Sequence, residues 1–232
     1  MGESLKVLSA GAVKRGVARI AADFERASGS RVTVEFSTAP EIRKRVGAGE
    51  TADVIVAPPA VMDEIAKQGK IVAESRGFVG RSRMGVVVHA TAAAPALGDT
   101  AAFKRALLDA SAVVHNKASS GIYAAKLLEK LGLKDALGSR IVVVETGSAI
   151  MEYVAAQPPA AIGLAQISEV MVMIDKGCAV KLAAQLPDEI QNVTSYDAAA
   201  TSSSRAPEAA RRLAASLSSD AAKKIFAATG IN

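Results

Sequence analysis

Apolar positions return along this chain in two alternating rhythms. Leu5-Lys6-Val7-Leu8-Ser9 is a short β-prone run that ends in the small-residue turn Ala10-Gly11-Ala12. Val13, Val17, Ile20, Ala21 and Phe24 then recur at spacings of three and four, which places them on one helical face, and Gly29 fits a helix stop. The scheme repeats: strand at 31–36, helix from Thr38 to Val46, strand at 52–56, helix from Ala60 to Lys67. Strands alternating with helices at this pitch predict a parallel, doubly wound sheet.

The strand-like run Arg83 to His89 leads into the soft stretch Thr91-Ala92-Ala93-Ala94-Pro95, which marks a crossing into a second unit. A second βα array follows, with helices at 100–108, 119–131 and 149–155 and strands at 111–115, 141–145 and 161–164. Val193 to Ala198 is extended, and 207–217 and 220–228 read as amphipathic helices that return to the first unit. The expected architecture is α/β and two-lobed, each lobe a mostly parallel sheet flanked by helices. Lobe 1 takes 1–82 plus 196–232, lobe 2 takes 83–195, and two hinge crossovers join them.

Composition removes several function classes. At 232 residues with half of them apolar, the chain can bury a sizeable core, yet no apolar run approaches the ~18–20 residues of a membrane span. The start, Met1 to Lys6, lacks the basic-then-apolar profile of a leader. The expected location is periplasmic if a leader has been removed, and cytoplasmic if Met1 is the native start. A single cysteine, Cys178, excludes an internal disulfide, and two histidines give no zinc spacing; no metal and no cofactor are expected. The formal charge of +5 comes from scattered Lys and Arg, and with no Trp, three Tyr and five Phe, nucleic acid is not an expected partner. A mild positive excess suits attraction of a small anion.

Four strand ends run into small polar turns that open helices: Ser9 to Val13, Ser37 to Glu41, Lys117 to Ile122 and Thr146 to Ile150. Ligands of open α/β sheets sit at the carboxyl ends of strands, where helix N-termini present free N–H groups and partial positive charge. The candidate ligand-binding residues are therefore Ser9, Gly11, Ala12, Lys14, Ser37, Thr38, Ser119, Ser120, Gly121 and Ser148. Ordinary helix capping explains any one turn equally well, and Thr38-Ala39-Pro40-Glu41 has the form of a capping box. Lys14 favours a ligand, because a cation in the first turn opposes the helix dipole by ~0.3–1 kcal/mol and a bound anion offsets that cost. His115 ends a predicted strand beside Asn116; imidazole can carry or release a proton near neutrality, although a lone histidine is more often structural. No nucleophile elbow, phosphate loop or dinucleotide fingerprint is present.

Four segments together resemble the molybdate-binding proteins of ABC importers: Val7 to Val13, Val46 to Val54, Ser120-Gly121-Ile122-Tyr123-Ala124 with Leu131-Gly132, and Ala161 to Leu164. The resemblance spans nearly the whole chain. It implies the type II periplasmic-binding-protein fold, closure about a hinge on an anion in the cleft, oxyanion capture by N–H groups and hydroxyls, and an ABC permease as partner if the protein is exported. It also places Ala12 where molybdate binders present a serine, Thr38 or Ala39 near their second serine, and Gln166 at their tyrosine. With those hydroxyls lost or moved, the expected ligand is a carboxylate metabolite rather than molybdate, bound by a monomeric solute-binding protein. The scaffold is also similar to that of aconitate isomerase-like proteins. That likeness implies an alternative, an organic-acid isomerase moving a proton on a di- or tricarboxylate, with His115 as catalytic base.

Overall fold

The computed structural model describes residues 3–157 and 160–232. The chain divides into two compact units, Met1–Ser82 with Thr194–Asn232, and Arg83–Val193.

In unit 1, β1 (Ser4–Ala10) leads through a 3-10 turn at Gly11–Val13 into α1 (Lys14–Ser28). There follow β2 (Arg31–Ser37), α2 (Ala39–Gly47), β3 (Val54–Ala57) and α3 (Pro59–Lys67). β1 is the central strand. It pairs in parallel with β2, Ser4 opposite Arg31 through Ala10 opposite Ser37, and in parallel with β3, Val7 opposite Val54. Right-handed crossovers between parallel strands need a covering helix, so each of these strands is followed by one. The chain leaves the unit along β4 (Gly77–His89), six residues longer at its start than the apolar run at 83–89 predicts. It returns along β9 (Val193–Ala200), antiparallel to β3. Two last helices, α9 (Pro207–Leu217) and α10 (Asp220–Ala227), pack on α1. Their buried faces, Ala209, Ala210, Leu213, Leu217 and Phe226, join Leu5, Val7, Val17, Ile20, Ile55 and Met62 in one core.

Polar contacts lock this unit at the amino ends of its strands, opposite the helix-opening turns. Asp53 accepts from the Lys6 amide at 2.7 Å and from the Ser204 hydroxyl at 2.6 Å, while its own backbone N–H donates to the Lys6 carbonyl. Beside it, Lys6 pairs with Glu35 at 2.9 Å and Glu50 at 3.0 Å, and Arg45 joins both carboxylates. The Arg45 and Lys6 hydrogen bonds hold the Glu50 carboxyl down at about 2. The segment Glu50-Thr51-Ala52-Asp53, one of those carrying the family resemblance, thus has a structural role.

In unit 2, α4 (Thr100–Asp109) and β5 (Ala112–Asn116) are followed by α5 (Ser119–Lys130), a short α6 (Lys134–Leu137), β6 (Ile141–Val144), α7 (Gly147–Ala156) and β7 (Ala161–Gln166). Then come α8 (Ile167–Asp175) and β8 (Val180–Gln185). β5 runs parallel to both β6 and β7, whereas β4 is antiparallel to β7 and β8. The sheet of this unit is therefore mixed, with a parallel half that carries the helix-opening turns. One face is covered by α4, α5 and α6 through Phe103, Leu107, Leu127, Leu128 and Leu137; the other by α7 and α8 through Ile150, Met151, Val154, Val170 and Met173. The Tyr123 hydroxyl donates to the Ile190 carbonyl at 2.9 Å, anchoring α5. No described helix is long and apolar enough to cross a membrane.

Replacing Asp53 with Ala removes one acceptor from two donors, one of them a backbone N–H between strands. Equilibrium urea unfolding should show a loss of about 2 kcal/mol; a loss within ~0.5 kcal/mol, the usual range for an inert surface change, would refute the assignment of Asp53 as a lock.

Candidate functional site

In unit 1 the carboxyl ends of β1, β2 and β3 lie side by side, because the register sets Ser9 opposite Phe36 and Val56. The two adjoining helix N-termini differ. Thr38 caps α2, its hydroxyl accepting from the Glu41 N–H at 3.4 Å, with Pro40 in the first turn. α1 has neither a side-chain cap nor an acidic residue in its first turn, and it is approached through Gly11, Ala12 and Val13. A fifteen-residue helix of this kind keeps its positive end available. Lys14, its first residue, is exposed, and its Nζ stands 5.2 Å from the centre of the Phe36 ring on β2. That cation–π contact holds the charge above the strand ends. Ser9 is fully buried and its hydroxyl donates to the Ala10 carbonyl at 3.1 Å, whereas Ser37 is half-buried and Thr38 exposed. Gly11, Ala12, Lys14, Ser37 and Thr38 are thus gathered at one end of the unit 1 sheet, with Ser9 beneath them.

In unit 2 the carboxyl ends of β7, β5 and β6 follow one another in that order. Asn116, the last residue of β5, organises the opening of α5. Its side-chain Oδ1 accepts from the N–H groups of Ala118 and Gly121, both at 3.1 Å. Gly121 is required there, since a Cβ on it would overlap the Asn116 carbonyl. These two bonds fix the amide orientation and leave Nδ2 as a donor that is buried and without a partner. Ser119 is exposed and Ser120 buried, its hydroxyl 3.5 Å from the Asn116 Oδ1. His115 is buried, with Nδ1 3.1 Å from the Asn116 carbonyl oxygen. Gln166 ends β7 and is buried. Thr146 caps α7, accepting from the Ala149 N–H at 3.2 Å and lying 3.1 Å from the Ser148 hydroxyl, which leaves Ser148 exposed beside the cap.

Three groups of this region escaped the sequence reading: Asn116 as organiser of a turn, and Ser168 and Glu169 in the first turn of α8. The Ser168 hydroxyl is buried with no partner, and so is Glu169 Oε2. Glu169 lies against Gly147, where a Cβ would overlap its carboxyl. Burial alone, with no neighbouring charge contributing, pushes the Glu169 carboxyl up to about 7. The available signal was a polar pair, Ser168 and Glu169, one residue beyond a buried strand.

Each unit is α/β, with helix N-termini gathered at the carboxyl ends of parallel strands, which is the layout of the type II periplasmic-binding-protein fold. Solved structures agree on the fold. A substrate-binding domain of a putative molybdenum ABC transporter from Clostridium difficile matches with TM-score 0.77 and 17% identity over 100% of this chain and 99% of that one. The periplasmic molybdate-binding protein of Azotobacter vinelandii gives TM-score 0.77 and 18% identity over 98% of each. Among characterised sequences, an aconitate isomerase from a Pseudomonas species is 29% identical over 96% of this chain and 85% of its own length. The chain belongs to the bacterial extracellular solute-binding protein family, whose model matches residues 5–232.

The raised Glu169 carboxyl has a consequence for stability. A carboxyl titrating near 7 when folded and near its ordinary 4.5 when unfolded favours the folded state fully below about 4.5 and loses that contribution as pH rises through 7. The difference in unfolding free energy between wild type and Glu169→Gln should change by roughly 3 kcal/mol between pH 4 and pH 8, against the wild type at high pH. Parallel stability curves for the two proteins would show that Glu169 is not desolvated.

Proposed function

We propose that this chain is the solute-binding component of an ABC-type importer, working outside the cytoplasmic membrane with a permease as partner, and that its ligand is a small carboxylate metabolite rather than molybdate. The observation that carries this reading is the open N-terminus of α1, bordered by Ala12 and Lys14 in place of hydroxyls. A tetrahedral oxyanion is well held by several neutral hydroxyl and N–H donors; a carboxylate gains more from a cation, through a charge-assisted hydrogen bond. Of Thr38 and Ala39, which the resemblance sets near the second serine of molybdate binders, only Thr38 has a hydroxyl, and it is already engaged as a helix cap. Gly11, Ser37, Ser119, Ser120, Ser148 and Gln166 remain proposed contacts.

A second reading is an organic-acid isomerase. The likeness to an aconitate isomerase over 96% of the chain favours it, with His115, buried at a strand end, as the base.

The test is a thermal-shift series with molybdate, tungstate, sulfate, phosphate, citrate and trans-aconitate. A ligand at a hundred times its Kd adds ~2.7 kcal/mol, or several degrees for a chain of this size. Shifts confined to the carboxylates are expected, and Lys14→Ala should weaken that binding about tenfold, equal to ~1.4 kcal/mol. Shifts with the metal oxyanions alone would overturn the carboxylate assignment, and an unchanged Kd in Lys14→Ala would remove Lys14 from the site. Exchange of a substrate proton with deuterated water, lost in His115→Asn, would establish the isomerase instead.

A further inference from the structure

Among the described residues, three buried side-chain polar atoms have no partner: Asn116 Nδ2, Ser168 Oγ and Glu169 Oε2. All three stand at the carboxyl end of the unit 2 sheet, one ending β5 and two following its neighbour β7. Folded chains satisfy nearly all such groups, so three orphans at the same end of one sheet mark a region where something else completes the hydrogen bonding. Asn116 is 1% exposed and Ser168 3% exposed, which rules out bulk solvent as the partner of either.

Glu169 is the unexpected member. Its carboxyl reaches Gly147 at the start of α7, and since β5 lies between β7 and β6 in the sheet, this contact passes over the end of β5, where Asn116 sits. Yet Glu169 does not cap α7. Thr146 does so, and Oε2 accepts no N–H. The charged groups on the elements packed around α8 are Glu152 on α7, Lys181 on β8 and Asp175 at the far end of α8 itself; at the neighbouring strand ends are His115, Lys117 and Glu145. Lys117 and Glu145 are paired with each other, and none of these charges contributes to the Glu169 carboxyl.

We propose that Glu169 couples anion capture in unit 2 to the uptake of one proton, the anion occupying the turn between Asn116 and the start of α7 only when the Glu169 carboxyl is protonated. This rests on the anion-binding reading above. An ionised carboxylate at that turn repels a second anion and takes for itself the positive end of α7. Once protonated it repels nothing, and its O–H becomes a donor to the ligand beside Asn116 Nδ2. The proton comes from solvent and stays on the Glu169 carboxyl; no bond of the ligand breaks.

Isothermal titration of wild type and Glu169→Gln with trans-aconitate and with molybdate, corrected for protons that the free ligands themselves exchange, tests this in buffers of different ionisation enthalpy. With the carboxyl titrating near 7, wild type should take up close to one proton per ligand at pH 8 and about a tenth of one at pH 6. Its Kd should rise about tenfold between those pH values. Glu169→Gln should bind with a flat pH profile and no uptake. Binding to wild type without proton uptake, or uptake that persists in Glu169→Gln, overturns the coupling and leaves the anion reading standing. Absence of binding by either anion, at both pH values and in both proteins, overturns the two together.

Discussion

The parallel pairing of β1 with β2 and β3, and of β5 with β6 and β7, is the constraint from which the rest follows. Parallel neighbours cannot be joined by a hairpin, so each connection passes through a helix, and every such helix begins where a strand ends. Four helix N-termini, those of α1, α2, α5 and α7, are thereby collected at two sheet ends, and α3 and α8 begin after β3 and β7 at the same ends, each bringing N–H groups that the helix itself cannot satisfy. The apolar sheet faces supply the stability; the strand ends carry an excess of donors that has to be met by caps, by side chains from neighbouring elements or by a ligand.

The protein meets that excess unevenly. Thr38 and Thr146 cap α2 and α7 in the ordinary way, and Asn116 performs the same service for α5 from inside the preceding strand. α1 receives nothing of this kind and carries a lysine in its first turn. In unit 2 the excess is of a different kind: a carboxyl without donors stands beside an amide without an acceptor. Binding potential is concentrated where capping is missing, as at α1, or where buried polar atoms beside a capped turn still lack partners, as at Asn116 and Glu169.

Much of the fold was legible because its signals are local. The helical face Val13, Val17, Ile20 and Phe24, the strand at 31–36 and the capping box at Thr38 each follow from spacing alone. α8 was not legible for a physical reason: Ile167, Val170, Met171, Met173 and Ile174 surround most of the helix, which leaves no polar face to set a period. β8 was missed because Val180 to Gln185 is short and mostly half-buried, and β4 begins six residues early because Gly77 to Ser82 lacks a continuous apolar run. The turns at Gly11 and Ser119 were legible as turns. What could not be read was which of them were already satisfied, since a cap such as Asn116 acts through a geometry that spacing does not encode.

The same limit applies to chemistry. His115 attracts notice in a sequence because an unperturbed imidazole titrates near neutrality, whereas Glu169 is one acid among 23 acidic residues and becomes distinctive only through its surroundings. Desolvation brings its carboxyl to about 7, so that both protonation states lie within reach of ordinary conditions. A scaffold whose backbone donors favour anions in general can be specialised by one such group, because a carboxyl that accepts or withholds a proton decides whether an arriving anion meets a donor or a like charge. That choice requires neither a metal nor an additional cation. It needs only a helix start that packs against a glycine and leaves a neighbouring acid without a partner.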